Sequence, residues 1–197
     1  AWTINGETVE DNLSNTLTID ALGENTTVTV EFEAYQGFTL PTGGTGYTVT
    51  VDQRTPAETY SGALETEIRR GGDVTFIVAP EEGNALKTVT VAREDATITP
   101  NGDGSVTVFI PNVQENIDLQ VEVSTGATLT IGTAENGAVT VTRNGVALKS
   151  GLKVLAGDKL TITAAPDSGY RLDSLKVNGE PFASGGTLEV PNDVTEI

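Results

Sequence analysis

The 197-residue chain contains no cysteine, no histidine and no methionine. Without cysteine there are no disulfides and no thiol nucleophile. Without histidine there is no imidazole base and no nitrogen ligand of the usual kind for a transition metal. Most catalytic constellations therefore cannot be assembled, and neither an enzymatic activity nor a cofactor is expected. A small domain that lacks disulfides must be held by packing and sheet hydrogen bonds alone. Positive charge is also scarce, with 11 Lys and Arg against 28 Asp and Glu and a net charge of -17. That balance excludes a nucleic-acid partner, which needs a basic face to displace phosphate counterions. Apolar runs stay well short of the roughly 18 residues that cross a bilayer, so membrane insertion is not expected, and no leader pattern opens the chain.

What is present is the composition of a folded protein, 37% hydrophobic and 20% charged, with 22 glycines. Short stretches alternate apolar and polar residues and are rich in Val and Thr: 47–51, 74–78, 86–91, 106–110 and 119–123. Asn-Gly pairs at 5–6, 101–102, 136–137, 144–145 and 178–179 supply turns, because both residues tolerate positive φ. The one helical hint, residues 63–70, has a strand-like counterpart at 151–156 and is read as a strand. The fold class is all-β.

Sliding the sequence against itself exposes a tandem repeat. At an offset of 86, Val74, Phe76, Val78 and Pro80 fall on Leu160, Ile162, Ala164 and Pro166, and Gly83, Leu86, Val89 and Val91 fall on Gly169, Leu172, Leu175 and Val177. The opening Trp2-Thr-Ile-Asn-Gly-Glu7 matches Leu175-Lys-Val-Asn-Gly-Glu180. Leu17 and Ile19 align with Val108 and Ile110 and then with Leu188 and Val190, while Val28, Val30 and Phe32 align with Leu119, Val121 and Val123. The expected organisation is the C-terminal half of a first repeat at 1–33, a Gly/Pro/Thr linker at 34–46 and a complete second repeat at 47–123. A short linker at 124–126 then leads to a third repeat at 127–197 that lacks its closing strand. These are tandem small β modules in an elongated arrangement, and the longer first linker should bend more than the second. Charge is uneven: residues 1–33 carry net -7, 47–123 carry -8 and 124–197 only -2.

Gly157-Asp-x-Leu-Thr-Ile-Thr-Ala-x-Pro-x-x-Gly-Tyr170 followed by Leu175-x-Val-Asn-Gly-Glu180 resembles the divergent internalin-type B-repeat family of bacterial surface proteins. Trp2-Thr-Ile-Asn-Gly-Glu7 and Thr26-Thr-Val-Thr-Val-Glu-Phe32 resemble it equally. The resemblance implies small β modules, β-grasp-like or sandwich-like, strung as stalks or spacers on a cell surface or in a secreted protein, and it brings no catalytic residues. The second repeat departs from the pattern, with Gly72-Asp73 one place out of register and a longer loop at 92–105.

Individual residues support this reading. Trp2, a candidate sugar platform, occupies the inward position of Val89 and Leu175 and is read as core. Asn101-Gly-Asp-Gly-Ser105 lacks the alternating acids and distal Glu of a calcium loop and is read as a hairpin turn. The carboxylate pairs Glu81-Glu82 and Glu94-Asp95 are read as solvated, and Lys87 and Lys176 as outward-facing, which excludes them from a buried isopeptide link. Tyr35 and Phe38, aromatics in the uncharged linker, are the candidate partner contacts. They would either meet an external ligand or set the angle between repeats. The expected partners are neighbouring repeats, a second copy joined head to tail by strand completion into a filament or layer, and cell-wall or host glycans.

Overall fold

The computed structural model describes residues 2–9, 16–20, 25–30, 37–55 and 67–192, and every strand pairing among them is antiparallel. No helix occurs among the described residues. Residues 1–36 and 37–197 are separate compact units.

In the first unit, β1 (Trp2–Ile4), β2 (Glu7–Thr8) and β3 (Val28–Val30) form a sheet ordered β2-β1-β3. Asn5 (φ 52°) and Gly6 (φ 86°) both take positive φ, as a two-residue type I′ hairpin between right-twisted strands requires. The Asn5 side chain has a second task. Its Oδ1 accepts the Thr27 N–H at 2.9 Å while the Asn5 N–H donates to the Thr27 carbonyl at 2.9 Å, tying the turn to the approach of β3. Trp2, Leu17 and Ile19 are half-buried.

The second unit opens with β4 (Gly37–Thr39), β5 (Tyr47–Thr55), β6 (Glu67–Arg69), β7 (Asp73–Pro80), β8 (Asn84–Val91), β9 (Thr97–Pro100), β10 (Val106–Ile110) and β11 (Leu119–Thr125). A four-stranded sheet β5-β7-β10-β9 is accompanied by the pairs β8-β11 and β4-β6. The alternation in β7 is visible in its burial. Val74, Phe76 and Val78 face inward with Val108, Ile110 and Val113, while Leu86, Val89, Leu119 and Val121 close over them from β8 and β11. The core thus lies between two layers of strands. Each such side chain contributes roughly 1.5–3 kcal/mol by leaving water.

This arrangement changes one expected boundary. Residues 37–40 are not linker: β4 pairs with β6 (Phe38 opposite Ile68), and Leu40 is 3% exposed within the core. The second module therefore begins near residue 37. The cluster Pro41, Gly43, Gly44 and Gly46, which reads as a linker, is a turn between two strands of one module, bridged where Gly44 and Tyr47 exchange hydrogen bonds. Tyr47–Thr55, which pairs with β7, is the counterpart of residues 137–143, which pair with 160–166.

The third module repeats the plan with β12 (Ala127–Thr128), β13 (Gly137–Arg143), β14 (Val146–Ala147), β15 (Lys153–Val154), β16 (Lys159–Pro166), β17 (Lys176–Val177), β18 (Glu180–Pro181) and β19 (Gly186–Glu189). Its sheets are β14-β13-β16-β19, β12-β15 and β17-β18. Leu129, Val141, Val154, Leu160, Ile162 and Val190 form its core. Val154 stands where Ile68 stands, and Leu129 where Leu40 does.

One alignment shifts by two residues. Ile110 pairs with Val74, yet Leu188 pairs with Leu160, the counterpart of Val74. Val190 instead exchanges backbone hydrogen bonds with Gly157 and Asp158, as Val113 does with Gly71 and Gly72. A slip of two preserves which face each side chain occupies, so alternation alone cannot detect it.

Candidate functional site

Of the two residues expected to meet a partner, Phe38 lies in β4, half-buried against the second module's core, and Tyr35 lies outside the described residues. The structure draws attention elsewhere, to two places in the second unit: the seam between its modules and a groove in the third.

At the seam β11 ends at Thr125 and β12 begins at Ala127, leaving Gly126 alone between them. A Cβ on Gly126 would collide with the carbonyl oxygen of Val154, so this joint requires glycine for space rather than for φ. The hairpin at 101–105 braces the same joint. Its Gly102 carbonyl accepts the Lys149 N–H at 3.2 Å, and the Cβ position of Gly104 stands 3.5 Å from Leu152.

The hairpin is stiff because its polar groups bond one another. The Asp103 Oδ1 accepts from the Ser105 hydroxyl at 2.6 Å and from the Ser105 N–H at 3.1 Å, and the Asn101 Nδ2 donates to the Ser105 Oγ and the Thr107 Oγ1, both at 3.0 Å. The Ser105 hydroxyl, then its N–H, hold the Asp103 carboxyl below its ordinary pKa, with the charge of Lys149 across the seam adding in the same sense. These residues read correctly as a turn. Their role as a brace was invisible because the surface they touch comes from 45 residues or more further along the chain.

Other polar residues are structural. The Arg93 guanidinium chelates Asp95 at 2.9 and 2.6 Å and donates to the Pro111 carbonyl at 2.9 Å, which lowers the pKa of Asp95. Asp158, from the Gly-Asp motif, accepts the Leu155 N–H at 2.9 Å and pairs with Arg143 at 2.8 Å. Lys87 is exposed and pairs with Glu122 at 3.3 Å. Among the described residues, no three acidic side chains are grouped so as to hold a metal ion, and no helix is long and apolar enough to cross a membrane.

The groove, about 700 Å³, opens in the third module and is lined by Leu129, Val139, Ile162, Leu175 and Val177 among others. Tyr170 and Leu172 beside it are 59% and 41% exposed. In the second module the corresponding space is covered by β11.

Fold and seam together define a class: small all-β modules in tandem, joined with almost no linker inside the second unit. Residues 127–195 match the family model for the divergent InlB B-repeat domain. The third module is a repeat of that family, which belongs to bacterial surface proteins. No curated protein and no solved structure matches the chain.

Proposed function

We propose that the chain is a spacer or stalk segment of a bacterial cell-surface or secreted protein, gaining length by adding modules and doing no chemistry of its own. The observation that carries this reading is the braced seam. A stalk transmits position only if successive modules cannot swivel, and here a one-residue joint is locked from the side by a self-bonded hairpin. The family match of the third module to a surface-protein repeat supports the extracellular setting. The absence of histidine and cysteine, and the engagement of Asp95 and Asp103 in local hydrogen bonds, support the lack of catalysis.

The absence of native cysteine makes the test direct. Spin labels at Thr97→Cys and Thr163→Cys, both exposed strand positions, report the distance between the second and third modules of the full chain. A spacer requires one narrow distance distribution that persists in high salt. A distribution as broad as that of a freely jointed pair would refute the reading.

A further inference from the structure

The Asn-Gly pairs at 5–6, 101–102, 136–137 and 144–145 share a reactive chemistry but not their surroundings. An asparagine followed by glycine can cyclise. The glycine amide nitrogen attacks the asparagine Cγ, and glycine offers no Cβ to obstruct the approach. Attack requires the peptide between the two residues to rotate until that nitrogen faces Cγ, so every hydrogen bond that fixes the peptide or the side chain opposes it.

The first three pairs are fixed. At Asn101 the N–H donates to the Ser105 carbonyl, the carbonyl accepts the Gly104 N–H, and the side chain donates to Ser105 and Thr107. Its partner Gly102 is wedged beside the Ala147 carbonyl. Asn5 is tied to Thr27 through both its N–H and its Oδ1. The Asn136 carbonyl accepts the Asp167 N–H at 2.9 Å, at the start of the ladder between β13 and β16. Asn144 is different. It and Gly145 are exposed in the turn closed by Arg143 and Val146, and neither residue makes a hydrogen bond of its own among the described residues.

We infer that Asn144-Gly145 is a site of spontaneous covalent modification, at which asparagine converts to isoaspartate and aspartate through a cyclic imide. The Gly145 nitrogen loses its proton and bonds to Asn144 Cγ, the Cγ–Nδ2 bond breaks, and Nδ2 leaves as ammonia with that proton. Water then opens the ring. Addition at Cγ gives aspartate, whereas addition at the main-chain carbonyl carbon breaks its bond to the Gly145 nitrogen and routes the chain through Cγ, which is isoaspartate. Nothing is oxidised or reduced, and water is the one co-reactant.

The isoaspartyl product bears on the seam. With Asn144 at φ 51° and Gly145 at φ 82°, the turn holds two residues between paired strands, and an added main-chain carbon pushes β14 out of register with β13. β14 carries Ala147, whose carbonyl faces Gly102, and leads to Lys149, whose N–H donates to the Gly102 carbonyl. Conversion therefore loosens the brace. That consequence rests on the spacer reading, and the chemistry at Asn144 does not.

The test ages the full chain in mildly alkaline buffer and maps its peptides by mass spectrometry, with electron-transfer fragmentation to separate isoaspartate from aspartate. Asn144 should convert roughly ten-fold or more faster than Asn5 and Asn101, whose hydrogen bonds must break first. In guanidinium the rates at the four pairs should converge. Asn144→Gly, which keeps a residue tolerant of positive φ in the turn, should abolish modification there. In the chain labelled at Thr97→Cys and Thr163→Cys, the distance distribution should broaden as isoaspartate accumulates and stay narrow when Asn144→Gly is added. Three results would overturn the assignment: Asn5 or Asn101 converting as fast as Asn144 in the folded chain, no conversion at Asn144 while the denatured chain converts, or a ranking that persists in guanidinium. A distribution already broad before ageing would defeat the spacer reading while the mass spectra still decide the site, and one that stays narrow after conversion would overturn the effect on the seam.

Discussion

Replacing Gly102 with alanine places a Cβ 2.5 Å from the carbonyl oxygen of Ala147. Ordinary contact begins near 3.4 Å, so the hairpin and the third module must part by about 0.9 Å. Gly102 does not have a positive φ, so alanine introduces no backbone strain and the effect belongs to the seam. A separation of that size stretches the 3.2 Å bond from the Lys149 N–H to the Gly102 carbonyl past bonding range. Losing it removes about 1 kcal/mol, and loosening Leu152 from Gly104 adds a fraction more. A loss of about 1–2 kcal/mol raises the open population of the joint about 5- to 30-fold. Native-state hydrogen exchange would show faster exchange at Lys149 with unchanged protection at Val141 and Ile162, and the spin-label distance distribution would broaden. If Lys149 keeps its protection, or the core amides lose theirs in parallel, the hairpin is not a brace.

Leu40→Ala should destabilise the second module by about 2–5 kcal/mol in urea unfolding, as befits a fully packed core leucine, although it lies in a stretch that reads as linker. Gly179→Ala, at φ 85°, should destabilise the β17–β18 hairpin by about 1 kcal/mol or more, seen as faster exchange at Phe182. Asp103 has a folded pKa below its ordinary value of 3.8, so its contribution to the hairpin is present above that pH and is lost as pH falls through the depressed value. Protection at Ser105 and Lys149 should therefore hold down to about pH 4 and fall below it, and Asp103→Asn should flatten that profile.

Much of the fold was legible without coordinates. Val74, Phe76 and Val78, apolar at every second position, predicted β7 and its buried face, and the repeated Asn-Gly pairs predicted turns that do take positive φ at Asn5, Asn144 and Asn178. The strand at Glu67–Arg69 agrees with the strand-like character of its counterpart at 151–156. The start of the second module was not legible. Gly43, Gly44 and Gly46 with Pro41 have the composition of a linker, and only the pairing of β4 with β6 shows that the strand before them belongs to the same core. The two-residue shift at β19 was hidden for a different reason, since a period of two is blind to slips of two.

The sequence by itself determined that this protein is built of internally repeated all-β segments, because alternation, turn residues and internal repetition are local properties carried by residues close together in the chain. Tertiary structure decided where one module meets the next. Gly102 and Gly126 matter for the space left beside Ala147 and Val154. Those are relations between surfaces from distant segments, and they exist only after the strands have paired.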